Sequence, residues 1–161
     1  MRKYLSLILL LCLIIVSTAS CASNDAAKPD NSNPKMQNNP VGEIKNVDVD
    51  LTKLSSTMVF AEVYSIMTNP YDYIGKSIKM SGVYTSEYWN DTGVNYHYVV
   101  IQDATGCCPQ GIEFVWNGEH SYPDDYPEKQ TEIEVMGIFG SYDELGRTYY
   151  YLTVDDISVK K

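Results

Sequence analysis

At 161 residues, with 12 Lys and Arg against 21 Asp and Glu, the chain carries a formal charge of −9 at pH 7. That surplus of carboxylates is repelled by phosphate backbones and gains nothing from counterion release, so nucleic acid is excluded as an expected partner. The length suits one folded core and is short for two comfortable domains.

The first element is a leader. Arg2 and Lys3 precede the apolar run "YLSLILLLCLIIV" and the small residues Ser17 to Ser20, which is the layout of a signal peptide over residues 1–20. The run is shorter than the roughly 20 residues of a membrane-spanning helix. The segment "STASCASN" resembles the processing site of bacterial lipoproteins, where small residues precede a cysteine that is lipidated and becomes the new N-terminus. The resemblance implies lipidation at Cys21; plain secretion is the alternative. More than one acyl chain anchors stably, because each buried methylene contributes roughly 0.8 kcal/mol. The expected location is therefore the cell membrane, lipid-anchored and extracytoplasmic. Removing residues 1–20 takes away Arg2 and Lys3 and no acid, which brings the formal charge to −11.

Residues 21–42 follow as a tether. The stretch "ASNDAAKPDNSNPKMQNNPV" is rich in Asn, Asp, Ser and Pro and has too little apolar surface to offset the entropy of ordering it. The remaining residues, 43–161, form the expected domain. In "STMVFAEVYSIMTNP", Met58, Ala61, Val63, Ile66 and Met67 fall near helical spacing, Ser55 to Thr57 can cap, and Pro70 stops the run. This predicts one amphipathic helix over Ser56 to Thr68, closing one end of a core.

The period then changes to two. In "KSIKMSGVYT", Ile78, Met80 and Tyr84 alternate with Lys79, Ser81 and Val83. "YHYVVIQD", "GIEFVWN", "TEIEVMGIFG" and "RTYYYLTVDDISV" are also rich in β-branched and aromatic residues, giving five strands separated by Gly, Asn, Asp and Pro. Ile112, Phe114 and Trp116 alternate with Glu113 and Val115, and Ile133 and Val135 with Glu132, Glu134 and Met136. Each strand is expected to turn one face to the core and the other to water. The stretch "NPYDYIGKSIKMSGVY", with its preceding helix, resembles the start of small bacterial OB-fold domains, with Gly75, Lys76, Gly82 and Gly137 at matching positions. The resemblance implies a mainly β fold, a five-stranded OB-like barrel with one N-terminal helix.

The pair in "TGCCPQG", Cys107 and Cys108, is the most unusual feature. If Cys21 is acylated, no long-range disulfide remains in the mature chain. Neighbouring Cα atoms are about 3.8 Å apart, below the usual disulfide range of about 4.4 to 6.8 Å, so a vicinal disulfide is strained and reducible. A second reading is zinc, which takes two thiolates and needs further ligands; His97 is the best placed, with Asp103, Glu113 and His120 as alternatives. The stretch "HYVVIQDATGCCPQGIEFVW" is also similar to the outer domain of a bacterial family of permease-associated membrane proteins, where a strand runs into a Cys-Cys pair and a further strand. The third reading is plain packing, since free cysteine is among the most buried residue types.

Aromatic residues form the other candidate surface. Tyr84, Tyr88, Trp89, Tyr96 and Tyr98 cluster around the first hairpin, and "TYYYL" adds Tyr149, Tyr150 and Tyr151. Alternation puts Tyr149 and Tyr151 on one face and Tyr150 on the other, with Leu152 and Val154 inside. Tyr88, Trp89, Tyr149 and Tyr151 are thus the candidate ligand-binding residues, combining apolar bodies with polar tips. The loop "NGEHSYPDDYPEK" reads as solvated and acidic, without the ligand spacing of an EF-hand. Nucleophile elbow, phosphate loop, zinc-protease and dinucleotide motifs are absent from the sequence. These features predict an extracytoplasmic lipoprotein acting as a non-enzymatic binding module for a small ligand or an envelope protein. The alternative is zinc binding, or thiol and redox chemistry, at the adjacent cysteines.

Cys21→Ser is expected to move the protein from the membrane to the soluble fraction. Retention of processed and unprocessed forms in one membrane fraction would count against the anchor.

Overall fold

Residues 44, 46–103, 105–106 and 108–161 are described by a computed structural model. The expected signal peptide, Cys21, the tether and Cys107 lie outside the described residues. Seven elements follow in order: β1 (Val49–Asp50), α1 (Ser56–Thr68), β2 (Ser77–Trp89), β3 (Val94–Gln102), β4 (Pro109–Trp116), β5 (Glu132–Glu144) and β6 (Arg147–Val159). Short 3-10 turns at Leu51–Lys53 and Pro70–Asp72 flank the helix.

The helix has the predicted bounds, but its buried face differs from the expected one. Val63 and Ile66 are fully buried and Val59 packs against the same core, whereas Met58 is 56% exposed and Ala61 also faces solvent. At 3.6 residues per turn, positions 59, 63 and 66 fall within an arc of about 60°, and 58, 61 and 67 lie outside it. After the helix, buried Pro70 opens a 3-10 turn that leads the chain towards β2. Ser55 starts the helix through its carbonyl, which accepts from Val59 N at 2.8 Å; its side chain makes no cap bond.

The fold is mainly β, and its strands pair in a closed ring. β2 pairs antiparallel with β3 and β5, β3 with β4, and β5 with β6, while β4 and β6 close the circuit in parallel. The short β1 adds a sixth strand, parallel to the start of β2, with Val49 opposite Ile78. Two residues carry no periodicity, so β1 was invisible to pattern reading. Asp48 fixes it: Ser77 donates to the Asp48 carboxylate from its backbone N at 2.8 Å and from its hydroxyl at 2.7 Å.

Closure requires β2 to serve two neighbours. Residues Ser77–Val83 bond β5, and Val83–Trp89 bond β3. Gly82 sits at this crossover, where an added Cβ would lie 2.5 Å from the Val100 carbonyl oxygen. Gly137 has the same role on β5, beside the irregularity between Val135 and Gly137, with the Thr153 carbonyl oxygen in the way of any Cβ. Inside the ring Ile78, Met80, Tyr84, Val99, Ile112, Phe114, Phe139 and Leu152 form one core with Leu51, Val63 and Ile66.

The last two strands make a long hairpin. Leu145 and Gly146 both take positive φ, 48° and 77°, as the two-residue turn that matches strand twist requires. Both arms are 13 residues long, against 8 in β4. Only Glu113–Trp116 of β4 bonds Tyr151–Val154 of β6, so the hairpin tip separates from β4.

Gly137→Ala is expected to destabilise the fold by about 1–3 kcal/mol or more, as overpacking against backbone does. Urea unfolding followed by circular dichroism would measure it.

Candidate functional site

The divergence of β6 from β4 opens a cleft of about 200 Å³ on the outer side of the ring. Trp89 at the end of β2, Tyr96 and Tyr98 on β3, Glu113 on β4, Tyr142 on β5 and Tyr149 on β6 form most of its walls. Alternation explains the assembly: Ile112 and Phe114 point into the core, so Glu113 points out, under the overhanging hairpin. Tyr142 and Tyr149 are directly opposite in the hairpin ladder and stack at 5.5 Å between ring centroids. Trp89 meets Tyr96 at 5.3 Å and the edge of Tyr149 at 6.1 Å.

The hairpin tip is tied down by two phenol–carboxylate bonds. Tyr96 donates to Glu144, joining β3 to the end of β5. Tyr142 donates to Glu113, at 3.1 Å from Oε1 and 3.0 Å from Oε2. Glu113 is only 7% exposed, contrary to the expectation that its face meets water. The alternation itself was right; the covering hairpin, which comes from a distant stretch of chain, removed the solvent. Burial raises the Glu113 pKa from 4.5 to about 7, partly opposed by the Tyr142 bond and reinforced by Glu144. Loss of solvent likewise pushes Tyr96 up to about 12 and holds Tyr98 and Tyr142 well above ordinary phenols.

The sequence-derived candidates divide around this cleft. Trp89 and Tyr149 line it, Tyr151 rests against the edge of the Tyr142 ring at 5.6 Å, and Tyr88 alternates away, 51% exposed. Tyr150 packs against the core as expected, stacking on Phe139, and also borders the cleft. Glu113, Tyr142 and Glu144 were not singled out as a ligand surface. A lone acid between apolar strand residues reads as solvated, and "SYDELG" reads as a turn; no local signal joins them.

His97 belongs to the core side of β3. Its Nδ1 shares a 2.8 Å hydrogen bond with the Tyr84 hydroxyl, and its ring stacks on Tyr126 at 4.0 Å. Burial lowers its pKa from 6.5 to about 4, aided by Lys129. Cys108 is exposed in the β3–β4 connection, where its backbone N donates to Asp103 at 3.4 Å. Gln102 pairs with Pro109 at that end, and His97 lies five residues along β3, or about 17 Å at strand rise. The structure therefore does not bring His97 to Cys108. His120 is elsewhere again, stacked on Trp116 at 3.7 Å with Nε2 2.9 Å from the Asn117 carbonyl. Among the described residues no three His, Cys, Asp or Glu side chains converge on a metal position, and no helix is long and apolar enough to cross a membrane.

No family model matches the chain, and no curated protein matches it. Among solved structures it is similar to the SSB domain of a protein from Synechococcus sp., at 17% identity over 51% of this chain and 92% of that one, with a TM-score of 0.32.

Burial shifts the pKa values of His97 and Glu113 towards their neutral forms, with opposite consequences for stability. The depressed His97 pKa gives stability that is present above pH 6.5 and lost as pH falls towards 4. The raised Glu113 pKa gives stability that is present below pH 4.5 and lost as pH rises through 7. Over the shared window the two slopes oppose each other. Glu113→Gln should therefore gain on the parent protein between pH 4.5 and 7, by on the order of 3 kcal/mol for a shift of this size. It should also expose the acid-side loss due to His97. Denaturant titrations across pH 4–8 would read both.

Proposed function

We propose that the ring is an OB-like barrel and that it serves as a non-enzymatic binding module for a small ligand, carried on an extracytoplasmic lipoprotein. The strand order β2-β3-β4-β6-β5, with its one parallel contact inside the circuit, supports the barrel reading. Barrels of that kind take ligands on the face of their second and third strands, between the first and fourth loops. Here those elements are β3 and β4, the β2–β3 turn and the β5–β6 hairpin.

The observation that carries the proposal is the cleft itself: an aromatic-walled concavity with one buried carboxylate at its base. Binding sites for small molecules combine mostly apolar walls with a few placed polar groups. Since a water occupies about 30 Å³ of liquid, the cleft matches about six or seven waters, the size of a compact ligand or one end of a longer one. The formal charge of −9 weighs against a nucleic-acid ligand. An anchor at Cys21 and a polar tether would present the cleft outside the membrane, to a small ligand or to an envelope protein.

The test is a nuclear magnetic resonance titration of the labelled protein with a panel of monosaccharides, amines and carboxylic acids. Shifts confined to β3, β4 and the hairpin, and lost in Trp89→Ala with the remaining spectrum intact, are the expected result. Saturable shifts elsewhere, or none with any probe, would reject the cleft as the binding surface.

A further inference from the structure

We infer that the cleft takes a compact organic cation, an ammonium group bearing methyl or methylene substituents, held between aromatic faces beside the Glu113 carboxylate. This deepens the binding-module reading and rests on it. Three features of the lining point the same way.

The first is the balance of donors and acceptors. Tyr142 donates to Glu113, Tyr96 to Glu144, and the Thr148 hydroxyl to Asp143 at 2.7 Å. These three hydroxyl protons are spent inside the protein. Among the acceptors, Glu113, 7% exposed, has two oxygens sharing a single phenol proton, whereas an ionised carboxylate accepts about four hydrogen bonds. The shortfall calls for a donor or a positive charge.

The second is the absence of an internal counterion. No Lys or Arg lines the cleft, and no ion pair within 4 Å reaches Glu113 or Glu144 among the described residues. Arg147 stands opposite Glu144 in the hairpin but is exposed and makes no such pair.

The third is the shape of the walls. Trp89, Tyr96 and Tyr149 meet at tilted and edge-on angles of 52° and 79°, so their rings enclose a space instead of stacking into a plate. Ring faces carry negative potential, and a cation within about 6 Å of a ring centroid is attracted by it. A ligand that is charged yet clad in apolar methyl groups satisfies the rings and the carboxylate together; a hydrated metal ion satisfies neither wall.

Choline and its uncharged isostere 3,3-dimethylbutan-1-ol share shape and hydroxyl and differ in charge, so the full-length protein in detergent is titrated with each by calorimetry. Choline is expected to bind about tenfold or more tightly than the alcohol. Glu113→Gln and, independently of that buried site, Tyr149→Leu should each weaken choline by about the same factor with circular dichroism unchanged. Equal binding of the two probes, or choline binding untouched in both variants, overturns the cation inference and leaves the cleft standing as an apolar binding site. If choline does not bind while a neutral member of the panel shifts the cleft resonances, the cation inference alone falls. If no probe shifts them, the binding-module reading falls with it.

Discussion

Closure of the ring depends on a single strand having two sets of neighbours. β2 gives its first half to β5 and its second half to β3, and the exchange occurs where Gly82 and the Val100 carbonyl come too close for any side chain. Close approach of the same kind at Gly137 lets β5 bend against β6. A sheet that coils this tightly encloses its inner face, which is why residues as dispersed as Ile78, Ile112 and Leu152 reach full burial in one cluster. The helix contributes two fully buried residues, Val63 and Ile66, to the same cluster.

The same closure creates the cleft. Only the second half of β4 bonds β6: residues 109–112 and 147–150 lie in step by register yet do not pair, and there the β5–β6 hairpin parts from β4 and leans over Glu113. Two phenol–carboxylate bonds, Tyr96 to Glu144 and Tyr142 to Glu113, hold it there. The sheet consequently carries, on each of its faces, a titratable group whose pKa burial shifts towards the neutral form, His97 towards the core and Glu113 towards the cleft. Hydrogen bonding differs between them. His97 is packed among Tyr84, Tyr122 and Tyr126 with its Nδ1 satisfied, so it acts as a core residue. Glu113 keeps unfilled acceptor capacity next to an open volume, and that asymmetry makes it the chemical centre of the candidate site.

Much of the architecture was legible because it follows from local rules. The helix bounds came from the change of period and from Pro70, and the strands from alternation such as Ile133 and Val135 against Glu132 and Glu134. Local rules failed where neighbours distant in sequence decided the outcome. Met58 and Ala61 sit at helical spacing yet face solvent, because the face that packs on the core is the one carrying Val59, Val63 and Ile66. β1 is held by Asp48 and Ser77, 29 residues apart, and has no pattern of its own. The aromatic candidates illustrate both sides: Trp89 and Tyr149 meet, while Tyr88, adjacent to Trp89, points away.

By itself the sequence determined what depends on composition and near neighbours: the negative charge, the helix over Ser56–Thr68, the five main strands and the side to which their residues point. Those follow from the 3.6 and 2.0 periodicities and from turn chemistry, which need no knowledge of the rest of the chain. Only the tertiary structure decided which outward-facing residues lose their water. Glu113 points out of the ring by alternation, but it is buried because a hairpin beginning nearly 20 residues later lies over it. Its charge state, its bond to Tyr142 and the cleft beside it are products of strand closure, an interaction between segments that no local pattern encodes.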